Sequence, residues 1–335
     1  MSDEYSIFAG KYNYASSERF RKILRILMNE DAVKLANALP GNAEEMAQKL
    51  NKPLSQINDM LAKLYQKGVV FEGGKGYKAA KDVFQLHDST GSDMRSDELW
   101  GRDLLDAWWD FSEEELFPEI PKFVAAFPSP ISRVLPARSA VANQSKLLPN
   151  EDVNSVLDKA TKFAVVPCPC RRMAQKCDRP IDVCIQLNRG AEYAIKRGSG
   201  RELTREETKG IMQMAVEGGL IHSVLNTGDV GHFICNCCPD CCIFTYPYLK
   251  YGGLDKGLAK SRFEARVDTE SCSGCQDCIE QCPFGAIEMT KVAGYKKMKA
   301  NVDVSKCYGF GVCAVNCTTD SIKLYEVRPP EHIPA

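Results

Sequence analysis

No cysteine occurs in the first 167 of the 335 residues; all 16 lie beyond them. That asymmetry alone separates a part without thiol chemistry from a part crowded with it. Net charge is missing too. The chain carries 43 basic and 44 acidic side chains, a formal charge of −1, which gives no electrostatic case for a nucleic-acid or anionic-membrane partner. No run approaches 18 uninterrupted apolar residues, so no membrane insertion is expected. The opening MSDEYSIF lacks the charged and apolar regions of a secretory signal, and a cytoplasmic location is the expectation. A dinucleotide fingerprint is absent as well: Gly198-Ser199-Gly200 does not fit GxGxxG, and Gly309-x-Gly311 lies between cysteines. Without a flavin or nicotinamide motif, the chain is not expected to exchange hydride for single electrons alone. The length suffices for two or three domains.

Thiols at this density in a chain without a signal point to metal sites rather than to disulfides. The run Cys272-x2-Cys275-x2-Cys278-x3-Cys282-Pro283 is answered downstream by Cys307, Cys313 and Cys317. Close Cys-x2-Cys spacing lets one tight loop aim several sulfurs at one face of an iron–sulfide cube, with a fourth ligand arriving from further away. Zinc usually closes a site with two Cys pairs, and a three-Cys loop followed by Cys-Pro fits that poorly. Clusters in such number suggest a reducing, anaerobic setting.

Residues 262–327 resemble the bacterial two-cluster ferredoxins, through SCSGCQDCIEQCPFGAIEM followed by SKCYGFGVCAVNCTTDSIKL. In that family the fourth Cys of each run serves the other run's cluster. The resemblance implies that Cys272, Cys275, Cys278 and the remote Cys317 complete one [4Fe–4S] cluster. It assigns Cys282, Cys307 and Cys313 to a second. The family's second cysteine of the second run falls at Phe310, and Thr318 replaces the usual proline. Three outcomes stay open there: a [3Fe–4S] cluster, a [4Fe–4S] cluster with an open fourth iron, or an empty site filled by Phe310.

A second constellation lies upstream: Cys168, Cys170, Cys177 and Cys184, then Cys235, Cys237, Cys238, Cys241 and Cys242. The apolar run 163–166 and the segment 231–234 read as short strands leading into the two groups. Between them Thr204-x-x-Glu207 forms a capping box, Ile211, Met214 and Ala215 stripe a helix, and Gly218-Gly219 stops it before a strand over 220–225. Nine thiols exceed the eight that two cubanes need. One or two further [4Fe–4S] clusters is the leading expectation. The adjacent pairs Cys237-Cys238 and Cys241-Cys242 diverge, which admits a non-cubane or bridging cluster; a structural zinc with spare thiols is the third reading. Arg171, Arg172, Lys176 and Arg179 would set positive charge beside a cluster or form a solvated basic turn. His222 and His232 are the only histidines nearby, and a lone His on a strand is more often packed than a ligand. The pattern PCPCRR…C…C…CNCC…CC ahead of the ferredoxin-like end is similar to iron–sulfur proteins of anaerobic bacteria and archaea. That resemblance covers about residues 145–327, implies electron transfer and names no substrate.

The cysteine-free half begins with a unit that resembles winged-helix domains. Phe20, Ile23, Leu24 and Leu27 stripe a first helix capped by Ser17, Asn42-x-x-Glu45 opens a second, and Ile57, Met60, Leu61 and Leu64 stripe a third. A glycine-turn hairpin follows over 69–77. The third helix would expose Ser55, Gln56, Asn58, Asp59, Lys63 and Gln66. It offers no arginine there, so docking or scaffolding is favoured over DNA binding. Residues 81–150 read as a connector: a short helix over 96–110, aromatics Trp100, Trp108, Trp109, Phe111 and Phe117, then proline-punctuated chain. Those aromatics either pack one domain on another or form a partner patch.

The expected class is therefore α+β and multidomain. A winged-helix-like domain spans 1–80, a connector 81–150, a cysteine-rich α/β cluster-binding domain 151–260 and a ferredoxin-like dicluster domain 261–328. The function expected is single-electron relay as a subunit of an anaerobic oxidoreductase complex, with other subunits or redox proteins as partners. A terminal reductase using an open cluster and an iron–sulfur redox-sensing transcription regulator are the alternatives. No catalytic residue is assigned.

Overall fold

A computed structural model describes residues 3–229 and 231–334. The chain is mixed α and β and forms two compact units. One comprises Met1–Leu116, Val166–Ala174 and Ala194–Arg201; the other comprises Phe117–Val165, Gln175–Tyr193 and Glu202–Ala335.

In the first unit, five helices precede a hairpin: α1 (Glu4–Gly10), α2 (Glu18–Leu27), α3 (Glu30–Ala38), α4 (Ala43–Leu50) and α5 (Leu54–Gln66), then β1 (Val70–Gly73) and β2 (Gly76–Ala79). The caps are local chemistry. The Ser17 side chain accepts from the Phe20 N–H at the start of α2, and Asn42 and Glu45 exchange hydrogen bonds in a capping box at α4. Phe20, Ile23, Leu24 and Leu27 bury one face of α2; Ile57, Leu61 and Leu64 do so for α5, while Met60 is half-buried. Gly41 pairs with Tyr77 of the hairpin, its N–H donating to the Tyr77 carbonyl at 3.1 Å. Helix α3, which was not among the expected helices, packs with α1, α4 and α5.

Residues 83–111 add α6 (Val83–Gly91), α7 (Ser96–Trp100) and α8 (Asp103–Phe111) to this unit. The helix expected over 96–110 is broken at Gly101, whose φ of +57° suits glycine. Trp108 and Phe111 are fully buried. The Phe111 ring lies 4.9 Å from Phe20 and 4.8 Å from Tyr14, and the Trp108 indole donates to Thr90 Oγ1 at 3.0 Å. These two aromatics are core, not an exposed patch. The two returning segments are held by arginines. Arg172 donates to the carbonyls of Gly91 (3.2 Å) and Asp93 (2.9 Å), and Arg197 meets the fully buried Asp93 carboxylate at 3.2 Å and the Ser89 carbonyl at 2.8 Å.

The second unit is built on a seven-stranded sheet. Its strands are β3 (Ser132–Val134), β4 (Phe163–Val166), β5 (Cys184–Leu187), β6 (Arg201–Leu203), β7 (Ile221–Leu225), β8 (Phe233–Cys237) and β9 (Leu258–Ala259), in the order β6-β4-β5-β8-β7-β3-β9. The helix Arg205–Glu217 carries the expected capping box, but its buried face is Thr208, Met212, Ala215 and Val216. Of the expected stripe, Ala215 is buried and Ile211 packs on the core, whereas Met214 is exposed. Four more strands close the chain: β10 (Phe263–Val267) pairs antiparallel with β13 (Ile322–Glu326), and β11 (Ile287–Thr290) with β12 (Lys299–Val302). Two one-turn helices, Asp277–Glu280 and Val312–Val315, sit between them.

Candidate metal centres

The carboxy-terminal part is an internal repeat down to single backbone angles. In the first half Gly274 has φ +72°, Cys275 follows, and Gln276 at φ +78° caps the helix that carries Cys278. The second half sets Gly309 at φ +67°, then Phe310, and Gly311 at φ +93° caps the helix that carries Cys313. Phe310 thus occupies the backbone place of Cys275. The glycines before them are required: a Cβ at Gly274 would meet the Met298 carbonyl, and one at Gly309 the Phe263 carbonyl.

Each half lines a cavity. Cys272, Cys275, Cys278 and Cys317 surround one of about 350 Å³ including its mouth, floored by Met289 and Ile322. A second, of about 270 Å³, is lined by Cys282, Cys307 and Cys313, with Phe310 and Leu324 in its wall. The Phe310 ring stands against Phe284, which also packs on Tyr308 at 4.4 Å between centroids. Cys275 is exposed, whereas Cys307 and Cys313 are buried.

Backbone amides point at the sulfurs. Ala265 N–H donates to Cys307 Sγ and Ala286 N–H to Cys282 Sγ, both at 3.4 Å. Burial works to raise the Cys317 thiol, but the Thr319 hydroxyl and the amides of Ser321, Thr319 and Ile322 outweigh it and leave the thiol below its usual value. Burial, then the neighbouring Cys275, pushes Cys278 up to about 11; burial also raises Cys282 and Cys313. Burial and mutual repulsion disfavour bare thiolates here, and a bound metal relieves this by neutralising the sulfurs in place of their protons. Four sulfurs on one cavity, with amide donors behind them, are a donor set that fits a [4Fe–4S] cluster; three sulfurs and a phenyl ring fit a three-thiolate site.

The central cysteines divide into sets. Cys168 and Cys170 lie in the first unit, at the start of the helix Pro169–Ala174, with Cys168 buried. The other seven lie in the second unit. Cys177 Sγ is 3.9 Å from Cys238 Sγ and 3.8 Å from Cys241 Sγ, and the three sulfurs all fall within 4.8 Å of one another. Cys237 hydrogen-bonds instead with Cys235 and Cys242, and these contacts, with burial, raise its thiol well above the usual value. In β8, Cys235 and Cys237 share a face by strand alternation, and Asn236 points the other way. There its Oδ1 meets His222 Nδ1 at 2.5 Å and its Nδ2 donates to the Val183 carbonyl at 2.5 Å. The register that pairs Ile185 with Ile234 carries Cys184, the next residue along, toward the position of Cys235.

The expected basic cluster is dispersed. Arg172 is spent on the carbonyls of Gly91 and Asp93 and on the Asp97 carboxylate at 2.7 Å. Lys176 lies over the Tyr246 ring, its Nζ 3.0 Å from the hydroxyl. Arg179 faces sulfur: burial opposes its charge, but hydrogen bonds to Cys177 and Asp240 outweigh that and raise it. Asp240, 2.5 Å from Arg179, went unnoticed in the sequence, although its place inside the CCPDCC run was a signal. His222 is a packed histidine.

A family described as a 4Fe-4S dicluster domain matches residues 271–321. No curated protein and no solved structure matches the chain. No helix among the described residues is long and apolar enough to cross a membrane. The repeat, the two cysteine-lined cavities and this match together make the carboxy-terminal part a ferredoxin-like dicluster iron–sulfur domain, of a kind that points to electron transfer.

Proposed function

We propose that the chain relays single electrons as a component of an anaerobic oxidoreductase complex. The observation that carries this is the pair of cysteine-lined cavities in the two halves of the repeat. Cys272, Cys275, Cys278 and Cys317 would hold a [4Fe–4S] cluster; Cys282, Cys307 and Cys313 would hold a [3Fe–4S] cluster, with Phe310 in place of a fourth ligand. Clusters of this kind, when bound, take up and release one electron with little structural change. The chain's own residues set the conditions. Amide donors to Cys282, Cys307 and Cys317 stabilise negative charge on sulfur, which favours the reduced state. Exposed Cys275 puts the first site within reach of a redox partner, whereas Cys307 and Cys313 of the second are buried, together with Tyr308 and Phe310 of its wall.

That enclosure is also why electron relay is favoured over a terminal reductase, which needs an iron accessible to substrate. The helices and hairpin of residues 17–80 serve, in this reading, as a winged-helix-like docking module. The exposed α5 residues Ser55, Gln56, Asn58, Asp59, Lys63 and Gln66 include one basic side chain and no arginine, too little charge to neutralise several phosphates. Anoxic purification with iron and sulfide counting, low-temperature EPR and dye-coupled reoxidation tests the proposal. The expected result is at least seven irons per chain, an EPR signal of a [3Fe–4S] cluster, and reoxidation by a redox protein without any added substrate. Native-source protein with zinc alone and no labile sulfide would refute it.

A further inference from the structure

The sulfurs of Cys177, Cys238 and Cys241 stand closer together than those of cluster ligands. Their separations of 3.9 and 3.8 Å, with all three within 4.8 Å, describe the face of a small tetrahedron. Thiolates bound to one zinc ion at about 2.3 Å with tetrahedral angles lie about 3.8 Å apart. Cysteines of a cubane each bind a different iron at a different corner, so they lie further apart. The same chain shows the contrast, because its ferredoxin-like cysteines ring cavities.

We propose that Cys177, Cys238 and Cys241 hold a single zinc ion, in a centre separate from the iron–sulfur sites of the carboxy-terminal repeat. Cys235, Cys237 and Cys242 then belong to a different centre. The end of β8 makes this division. Cys235 and Cys237 point from one face of β8, pinned by Asn236 on the other, and Cys238, the first residue after the strand, turns instead to Cys177. The turn that follows returns Cys241 to Cys238 and Cys242 to Cys237.

The surroundings suit a divalent ion with thiolate ligands. Cys238 and Cys241 are 0% and 1% exposed, so the ligands are shielded from oxidant and competing water. Three thiolates on a divalent ion leave one negative charge. Arg179 faces it by hydrogen-bonding Cys177, and its ion pair with Asp240 at 2.5 Å fixes the guanidinium. The Lys176 backbone N–H donates to Cys241. Such outer contacts orient and neutralise thiolate ligands. Zinc suits sulfur donors and needs no redox partner. The centre would tie segment 175–179 to the loop after β8, 61 residues apart in the chain at Cys177 and Cys238, and a cross-link of that span is a structural clamp.

The proposal is independent of the electron-transfer reading, and its test keeps the two apart. The full chain is purified anoxically from iron-replete cells, then incubated with ferrous iron and sulfide. About one zinc per chain should survive, and zinc-edge X-ray absorption should show three or four sulfurs at about 2.3 Å. Cys177→Ala and Cys241→Ala should each lose that zinc while iron and sulfide stay unchanged. Cys275→Ala should lower iron and keep zinc. Zinc displaced by iron and sulfide, or a Cys177→Ala variant that loses iron and sulfide instead, overturns the assignment. Should the alanine variants fail to fold, the sulfur count on the unaltered chain decides: fewer than three sulfurs refutes the centre.

Discussion

Replacing Phe310 by cysteine should convert the second carboxy-terminal site from three thiolates to four. The backbone is already set for it. Gly309 and Gly311 flank Phe310 at φ +67° and +93°, as Gly274 and Gln276 flank Cys275 at +72° and +78°, so a thiol at 310 emerges where Cys275 does in its own half. The side chain lost is 5% exposed, lies in the cavity wall and stacks edge-on with Phe284 at 5.6 Å. Emptying a buried phenyl position costs about 3–5 kcal/mol when only a methyl replaces it. The aromatic pair adds about 0.5–1.5 kcal/mol, already partly inside that figure. A thiol recovers little of this unless it binds metal. Phe310→Ala should therefore be destabilised by about 3 kcal/mol or more with no gain of iron. Phe310→Cys, in contrast, should gain one iron per chain on anoxic reconstitution, recover stability relative to Phe310→Ala, and exchange a [3Fe–4S] EPR signal for a second reduced [4Fe–4S] signal. A folded Phe310→Cys protein with an intact first cluster and no added iron would refute the reasoning. So would an unaltered chain that already carries two complete cubanes.

Two further predictions concern stability. Arg262, 1% exposed, meets the buried Glu151 at 2.9 Å and donates to the Arg328 carbonyl at 3.1 Å and the Lys146 carbonyl at 3.2 Å. Arg262→Ala strands that carboxylate and should cost about 3–5 kcal/mol in anoxic urea denaturation; a loss below about 1 kcal/mol would show that the pair is not holding the second unit. His222 is held down to about 4 from an ordinary 6.5 by burial, against the opposing Asn236 hydrogen bond. A folded-state value below the unfolded one means the unfolded chain binds the extra proton as pH falls. Its contribution is complete above pH 6.5 and drains away toward pH 4, by up to about 3 kcal/mol. The stability difference between the unaltered chain and His222→Gln should follow that slope, and a difference flat across the window would count against a neutral, buried ring.

What could be read in the sequence was local. Ser17, Asn42 and Thr204 announce helix starts because a cap is made by a side chain and an amide three residues on. The resemblance to two-cluster ferredoxins implied the cysteine sets of the repeat, and the two cavities gather the same residues. What escaped depends on distant partners. The buried face of Arg205–Glu217 falls on Met212 and Val216 rather than Met214 because of what lies beneath it, which periodicity alone does not specify. Arg172 looked like a cluster's counter-charge, yet it is taken up by carbonyls some eighty residues earlier in the chain. The grouping of the central thiols needed the register of β5, β7 and β8, which no spacing within one segment encodes.

The two cysteine-rich regions solve one geometrical problem with different elements. In the repeat, Cys278 and Cys282 are four residues apart across a one-turn helix, and they line different cavities; Cys313 and Cys317 do the same in reverse. About 6 Å of helical rise separates such a pair, enough to hand successive sulfurs to neighbouring sites. At the end of β8 the division is made in a single step: Cys237, the last strand residue, joins Cys235 and Cys242, and Cys238, the first residue beyond the strand, joins Cys177 and Cys241. A helix offsets its ligands along an axis, and here the end of a strand parts them. The strand's division fails with a one-residue shift, since Cys235 and Cys237 would then change sides. Asn236, locked between His222 and the Val183 carbonyl, is the residue that forbids that shift. Its buried amide would otherwise face the sulfurs with neither partner, at a cost of about 1–3 kcal/mol for each bond lost.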